Sequence, residues 1–215
     1  MLTVNRTHVE PVGTGTKTGI DKRPVNGPVE VRAPGPMRGG LGSGIVDDVI
    51  GNRKLHGGDD QAVYAYARED LDAWAASLGR ELTNGMFGEN LTTVGVDVTG
   101  AVIGERWRIG TGGLLLEVTS PRTPCKTFAS RLGIVGWIRT FAHGGTPGAY
   151  LRVLEPGSVS GGDAVDVVDV PDHGVTIGFV YRALMVDKDL LPDVLVADAL
   201  PEDVKALARR RAAAT

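Results

Sequence analysis

The sequence predicts a mainly β protein, a β-barrel with helical insertions that is followed by a small unit of three helices. Roughly eight short stretches are apolar or alternate in polarity between turn residues, a pattern typical of barrels. The 31 glycines and an aromatic content of 5% agree with many turns and short strands. Beyond residue 171 the apolar spacing becomes helical, which predicts a β domain over 1–171 and a three-helix domain over 172–215.

The N-terminal half supplies several short strands and one long helix. Apolar residues between turn signals predict strands over 2–5, 20–25, 29–32 and 91–94. The block that begins at His56 is predicted to open a helix, because apolar residues recur at steps of three and four from Val63 to Leu78. Asp59 and Asp60 would then lie at the helix N-terminus, where acidic side chains are favoured.

The C-terminal half completes the predicted barrel and adds the final helices. Strands are predicted over 102–109, 114–119, 150–154 and 164–170, with short helices over 126–132 and 135–142. Three further helices are predicted over 175–186, 189–195 and 201–211, the last with Pro201 in its first turn. A unit of about 45 residues is marginal alone, so we expect these helices to pack against the barrel.

Composition narrows the class of function. A formal net charge of −3 gives no general attraction to nucleic acid, so we expect no nucleic-acid partner. The basic run 209–211 is interpreted as a solvated helix end. No apolar run approaches the roughly 20 residues that span a membrane, and residues 1–6 lack a secretory signal, so we expect a cytoplasmic location without a membrane partner. Composition indicates no particular oligomeric state.

The single cysteine lies in a basic run stiffened by two prolines, residues 120–126. Arg122 and Lys126 flank Cys125, and Arg131 follows about one helical turn later; such cations lower the pKa of a thiol. A thiolate held on a rigid basic loop suits a soft-metal ligand or a nucleophile. The alternative is an inert, buried cysteine, which is common in intracellular proteins.

Two loops carry further candidates, and a third is predicted to be flexible. His56 precedes two glycines, which let the backbone approach whatever the imidazole faces. Asn90 lies in the glycine-containing loop 85–91, whose polar groups also have the simpler role of satisfying the turn itself. The glycine-rich stretch 35–44 lacks the strand-to-helix context of a dinucleotide site and is predicted to be a loop.

Five motifs in order along the chain resemble those of the MOSC family, named for the C-terminal domain of molybdenum-cofactor sulfurases. They are Thr18–Lys22 with Pro24–Val25, His56–Gly58 with Asp60–Tyr64, Phe87–Leu91, Pro121–Cys125, and Gly148–Leu154. The last two are the most specific, whereas any one alone would be a weak signal. The resemblance covers nearly the whole chain, and the segment 173–176 is similar to the start of a three-helix domain found in a bacterial branch. The segment 35–48 departs from the shorter family pattern.

The resemblance implies a MOSC-type β-barrel that binds a pterin-dithiolene molybdenum cofactor, with Cys125 as metal ligand and catalytic residue. The implied contacts to the cofactor are Arg122, Lys126, Arg131, His56, Lys22 and Asn90. It also implies an oxidoreductase that detoxifies N-hydroxylated small molecules such as hydroxylaminopurines. Because no flavin, haem or iron–sulfur motif is present, the electrons would come from a separate reductase.

Two other classes of function remain open at this point. A carrier would hold the cofactor, or a persulfide on Cys125, without turning over a substrate. A binding module with a structural cysteine would hold no metal. Metal content and catalytic turnover, measured together, distinguish these possibilities.

Overall fold

The computed structural model of the protein describes residues 3–8, 18–52, 54 and 56–214. Within these ranges the strands are β1 (Thr3–Thr7), β2 (Lys22–Pro24), β3 (Val29–Val31), β4 (Val63–Ala67), β5 (Leu91–Thr93), β6 (Arg106–Ile109), β7 (Leu114–Pro121), β8 (Ala149–Glu155), β9 (Gly157–Val159) and β10 (Val165–Asp169). The α-helices are α1 (Arg68–Leu78), α2 (Lys126–Leu132), α3 (Trp137–Gly144), α4 (Ile177–Met185) and α5 (Glu202–Ala212). Asp59–Gln61 and Lys188–Val196 are 3-10 segments. Leu2, in the first predicted strand, lies outside the described residues.

Eight strands form one mixed sheet in the order β10-β6-β7-β8-β4-β5-β1-β2, and β3 pairs with β9 separately. β4 and β5 are parallel, whereas the other neighbouring strands are antiparallel. The predicted class, mainly β with helical insertions and C-terminal helices, is confirmed. Across the described residues the hydrogen bonding leaves β10 and β2 as edges and does not close the sheet into a ring.

The central strand β4 separates two cores of different composition. Its residues are all buried, and their side chains alternate between the two faces. Val63, Ala65 and Ala67 join an aliphatic core, whereas Tyr64 and Tyr66 join an aromatic cluster. The aromatic cluster also contains the following residues: Trp74, Phe87, Phe128, Trp137, Phe141 and Tyr181. Its helices α1, α2 and α3 therefore cover one face of the sheet.

The helix predicted to begin in the His56 block is wrong in its first part. Residues Val63–Ala67 form β4, and the helix begins only at Arg68. The β-branched and aromatic residues of this segment favour a strand, and pairing with β5 and β8 on either side decides the outcome. Asp59 and Asp60 accordingly do not cap a long helix but lie in a 3-10 turn before β4.

The C-terminal helices pack on the sheet. α4 contributes Ile177, Val180 and Ala183 to the same aliphatic core as Trp107. The predicted helix over 189–195 forms instead a 3-10 segment containing Pro192, which lacks the N–H that an α-helix interior requires. The predicted strand over 102–109 shortens to β6, but Val102 still pairs with Thr176 in an isolated bridge. The domain boundary after residue 171 stays a prediction.

Candidate active site

A cavity of about 270 Å³ contains the single cysteine. Five of the residues predicted to form the site line it, namely Lys22, His56, Asn90, Arg122 and Cys125. They come from segments far apart in the chain, which the fold brings together where β7 leads into α2. The structure therefore places most of the predicted candidates around one space large enough for a small molecule.

The turn from β7 into α2 positions the thiol. Cys125 has an extended backbone and is the residue immediately before α2. Its half-buried sulfur makes no side-chain capping hydrogen bond to α2, but the His56 imidazole and the backbone N–H of Phe128 are placed so that both favour its charged form. A sulfur at this position also faces the partial positive charge of the helix N-terminus, which favours an anion.

The environment of Cys125 favours the thiolate. Burial by itself raises the pKa of the thiol, but His56, the Phe128 N–H and the charge of Arg122 lower it by more than burial raises it, so the pKa falls to about 6. At pH 7 the sulfur is therefore mostly ionised. The sequence pointed to the cationic neighbour Arg122, whereas the contribution of His56 depends on the fold.

Arg122 is a buried cation without a carboxylate partner among the described residues. It is 7% exposed, and its guanidinium donates to the carbonyl of Phe87. The guanidinium carbon lies 4.2 Å from the ring centre of Phe128 and 5.0 Å from that of Tyr64, so aromatic faces provide much of its stabilisation. Its positive charge consequently remains available to the Cys125 sulfur and to any anion in the cavity.

Lys22, in contrast, is neutralised by a residue that the sequence did not indicate. Its ammonium pairs with Asp48, whose side chain is fully enclosed. Asp48 also accepts hydrogen bonds from Thr7, Ser43 and Asn90, with O···O or N···O distances of 2.6, 3.0 and 3.0 Å respectively. These contacts hold Lys22 and Asn90 in the cavity wall.

The pKa values of this pair follow from burial and from mutual attraction. Burial lowers the pKa of Lys22, although Asp48 opposes the shift. Burial would raise the pKa of Asp48, but Lys22 and Thr7 bring it below its usual value. Asp48 lies in the segment 35–48 that departs from the family pattern, and a lone acid in a loop has no periodicity that would have revealed its role.

Lys126 and Arg131 do not line the cavity. Lys126 is exposed, and the Arg131 guanidinium lies 2.6 Å from a carboxylate oxygen of Asp21. Their predicted contact with a cofactor stays a prediction. Tyr64 and Tyr150 line the cavity instead. Both belong to the sequence motifs described above, but neither was predicted to be a site residue.

Comparison with known proteins identifies the family. The model of the MOSC domain matches residues 52–166, more than half of the chain and including both His56 and Cys125. The chain belongs to the MOSC domain family. Among the described residues, no group of three or more His, Cys, Asp and Glu side chains is arranged to hold a metal ion. None of the helices in this part of the chain has the length and apolar character needed to span a bilayer.

Relatives of this MOSC protein include both bacterial and fungal chains. It is 33% identical to YflK of Bacillus subtilis over 170 residues, which cover 79% of this chain and 72% of YflK. It is 31% identical to a reductase of Gibberella moniliformis over 119 residues, 54% of this chain but only 21% of that one. The crystal structure of YiiM from Geobacillus stearothermophilus superposes with a TM-score of 0.77 and 25% identity, covering 98% of this chain and 97% of YiiM.

Proposed function

We propose that this MOSC protein binds a pterin-dithiolene molybdenum cofactor and reduces N-hydroxylated small molecules, with Cys125 as the metal ligand. The observation that carries the proposal is the Cys125 thiolate beside Arg122, a buried cation with no carboxylate partner among the described residues. A soft ligand and an uncompensated positive charge in one cavity suit a metal and an anionic group together.

The residues present fit such a cofactor. Cys125 supplies one soft ligand, and no cluster of protein ligands accompanies it in the described part of the chain. This is the donor set expected when an organic cofactor provides the remaining ligands. Arg122 would hold the anionic phosphate of the cofactor, with Lys22 and Asn90 as further polar contacts in the wall. The bound group would supply the two-electron chemistry that the chain lacks.

The residues of the protein would orient the substrate and deliver protons to it. Reduction of an N–OH group to N–H consumes two electrons and two protons and releases water. The His56 imidazole lies within hydrogen-bonding reach of the Cys125 sulfur and also lines the cavity, so it can deliver a proton there. Burial raises the pKa of Tyr150, so its phenol stays protonated and serves as a hydrogen-bond donor to the substrate.

The relatives support the proposal in part. One is named a reductase, although this chain spans only about a fifth of its length. The proposal includes a separate electron donor, which would deliver electrons from outside the MOSC domain. The proposal has two parts, metal binding and substrate turnover, and separate experiments test them.

Metal analysis tests the first part. The protein is produced in a host that makes the cofactor, and molybdenum is measured per chain for the wild type, for Cys125→Ser and for Ser130→Ala. Ser130 is exposed on α2 and provides a control near the site. We expect molybdenum in the wild type and the control, and a loss of roughly tenfold or more in Cys125→Ser. Equal molybdenum content in Cys125→Ser and the wild type would refute the assigned ligand.

Turnover tests the second part. The metal-loaded protein receives electrons from reduced methyl viologen and is offered benzamidoxime or 6-hydroxylaminopurine, and the reduced product, benzamidine or adenine, is quantified. Product that depends on both the donor and Cys125 supports the reductase. Metal-loaded protein that accepts electrons but forms no amine would favour a carrier. A carrier of the second kind would bear a persulfide on Cys125, which mass spectrometry of the purified protein would detect.

A further inference from the structure

The surface formed by α2 and α3 is basic, although the chain as a whole has a net charge of −3. Between Glu117 and Glu155 the sequence contains five Lys or Arg residues and no Asp or Glu. Three of these cations, Lys126, Arg131 and Arg139, are exposed on the two helices. The segment is therefore a positive region in a chain that otherwise carries an excess of acidic residues.

The positive charge on this surface is only partly neutralised by the described residues. Lys126 and Arg139 form no ion pair with any of them, and both side chains are exposed to solvent. Arg131 is paired with Asp21 at 2.6 Å between nitrogen and oxygen, and both of these side chains remain partly exposed. Exposed cations without counter-charges attract an acidic partner over several ångströms.

The turn between the two helices holds an apolar side chain in water. Val135 is 100% exposed, and Ile138 in the first turn of α3 is 39% exposed. Leu132 before the turn and Trp137 after it are both buried in the aromatic cluster, so the backbone that carries Val135 is fixed from both sides. A preorganised apolar group among cations resembles the apolar centre and charged rim of a protein interface.

This surface also lies beside the candidate active site. α2 begins at the residue after Cys125, and its seven residues span about 10 Å. From the side of α3, the ring centre of Trp137 lies 5.6 Å from that of Phe128, which in turn lies 4.2 Å from the guanidinium carbon of Arg122. A protein seated on the two helices would therefore be about one short helix away from the thiol.

We infer that the α2–α3 surface, formed by Lys126, Arg131, Val135, Ile138 and Arg139, binds a small acidic electron-carrier protein and is where electrons enter. The inference rests on the proposed function, which requires an external donor. Each carrier gives up one electron, so two reduced carriers are oxidised while one N–OH group takes up two electrons and two protons and becomes N–H and water. Carboxylates of the carrier would meet the cations, and its apolar contacts would cover Val135.

A lipid bilayer is the other surface that basic and apolar groups could meet. Membrane-binding helices usually present large apolar side chains such as Trp, Phe and Leu along one face. The aromatic residues of α2 and α3, Phe128, Trp137 and Phe141, are instead buried. Val135 and Ile138 are the large apolar side chains exposed on these helices and their turn, and two aliphatic groups give little insertion. A protein partner is therefore favoured.

Two redox proteins of opposite charge test the kind of partner. Plant-type ferredoxin is a small acidic iron–sulfur protein, and cytochrome c is a basic protein of similar size. Their binding to the full chain, purified without cofactor, is measured by titration calorimetry. We expect ferredoxin to bind at least roughly tenfold more tightly than cytochrome c, and its affinity to fall as the ionic strength rises. No binding of ferredoxin, or equal binding of the two proteins, would overturn the inference.

Two variants at exposed positions test the location. Arg139→Glu reverses a charge on α3, and Val135→Asp places a charge at the apolar turn. We expect each to weaken ferredoxin binding by roughly fivefold or more. Matched controls, which change the net charge by the same amounts at exposed positions elsewhere, are Arg210→Glu on α5 and Val196→Asp. Equal effects of the surface variants and their controls would overturn the location.

Vesicles of phosphatidylglycerol and phosphatidylcholine test the membrane alternative. Cosedimentation with the vesicles is measured for the wild type and for Arg139→Glu, and we expect none for either chain. Cosedimentation of the wild type that Arg139→Glu abolishes would show that this surface meets a bilayer, and would overturn the choice of a protein partner.

The reductase assay separates failure of the inference from failure of the proposed function. In the metal-loaded protein, Arg139→Glu should raise the KM for reduced ferredoxin roughly fivefold relative to Arg210→Glu, whereas the two variants should react equally with reduced methyl viologen, a small donor that needs no docking surface. If neither donor supports reduction of an N-hydroxylated compound, the proposed function fails, yet the binding results still decide whether the surface binds a carrier. If methyl viologen supports turnover but ferredoxin does not, or if the two variants have the same KM for ferredoxin, the inference fails alone.

Discussion

The chemistry at the residue scale depends on what surrounds one sulfur atom. His56, the backbone N–H of Phe128 and Arg122 together outweigh the effect of burial on Cys125. Arg122 and Phe128 each lie three residues from Cys125 in the sequence, whereas His56 is brought to the sulfur by the fold. The presence of only one cysteine in the chain makes this balance directly measurable, because any thiol signal comes from the site.

The Cys125 thiol should have a pKa well below that of an ordinary cysteine. The rate of alkylation by iodoacetamide follows the thiolate fraction, so in the cofactor-free protein we expect it to rise with a midpoint near pH 6, given the pKa of about 6. Removing the imidazole in His56→Ala should move the midpoint upward by about one unit or more. The exposed-site variant His143→Ala serves as a control. A wild-type midpoint above pH 8 would contradict the described environment.

A second titratable group, Asp70, lies on α1 away from the cavity. Burial, with Asp97 and Glu69 nearby, raises the pKa of its carboxyl to about 6. Because the folded-state pKa exceeds the usual value of 3.8, the protonated group favours the folded state at acidic pH, and this contribution is lost as the pH rises through about 6. Asp70 is therefore a source of instability at neutral pH.

Asp70→Asn should increase thermal stability at pH 7.5 and have less effect at pH 4.5. The expected rise in Tm is at most a few degrees, since the group is only partly buried. Thermal unfolding of the wild type and of the variant is compared at the two pH values, with the exposed Asp172→Asn as control. A larger increase in Tm at pH 4.5 than at pH 7.5 would contradict the prediction that the charged form of Asp70 destabilises the folded protein.

The candidate site was only partly predictable at this scale. Cys125 and Arg122 are close in sequence, so local reasoning found both. His56 and Asn90 were found through motifs, and their convergence on the thiol follows from the fold. Asp48 was not found, because its importance comes from the buried ammonium of Lys22, which is distant in sequence. A buried ion pair of this kind leaves no local pattern.

At the scale of secondary-structure elements, the loop containing Asp48 stabilises the edge of the sheet formed by β5, β1 and β2. Asp48 joins β1 through Thr7, β2 through Lys22, and the residue before β5 through Asn90. A single carboxylate thus holds three strands and the cavity wall in register. Loss of its charge would leave the Lys22 ammonium buried without a counter-charge, which is costly.

Asp48→Asn should therefore destabilise the protein by about 3–5 kcal/mol. For a chain of this size, that corresponds to a decrease in Tm on the order of 10 °C, measured by calorimetry. In the double variant Lys22→Met with Asp48→Asn, the uncompensated charge is gone, and we expect part of the loss to be recovered. A double variant less stable than Asp48→Asn alone would show that the ion pair is not the origin of the effect.

The element β4 shows why sequence patterns misassigned one segment. Val63, Ala67 and Leu71 are spaced as on a helix, yet the chain changes from strand to helix between Ala67 and Arg68. Val63 and Ala67 also fit a strand, because four residues apart is an even number and both side chains then face one side. The spacing of apolar residues therefore could not distinguish a helix from a strand over residues 63–67, and pairing with the neighbouring strands β5 and β8 determined the outcome.

At the scale of the whole molecule, the predicted class was correct because alternating strands and punctuating glycines are local signals. The order of the strands depends on long-range pairing and could not be derived from them. The C-terminal helices illustrate the difference. Their positions were predicted to within a few residues, whereas their contribution to the aliphatic core required the structure.

Removal of the C-terminal helices tests the boundary predicted after residue 171. Residues 1–171 retain every strand pairing of the sheet but lose Ile177, Val180 and Leu191 from the aliphatic core. We expect a chain that still unfolds cooperatively, with a Tm lower by roughly 10 °C or more. Calorimetry and near-ultraviolet circular dichroism provide the measurements. Complete loss of a cooperative transition would show that the boundary is wrong.

The aromatic cluster on one face of β4 also has an optical consequence. The indole rings of Trp74 and Trp137 lie 5.0 Å apart and edge-to-face, at 64°. Transition dipoles at this distance and angle interact, so the pair should give a coupled, signed band in the near ultraviolet. Phe128, which packs beneath the Arg122 guanidinium, contacts Trp137 in the same cluster. The tryptophan pair is therefore linked through one aromatic ring to the Arg122 side of the cavity, so its near-ultraviolet signal can report occupancy of the site without a label.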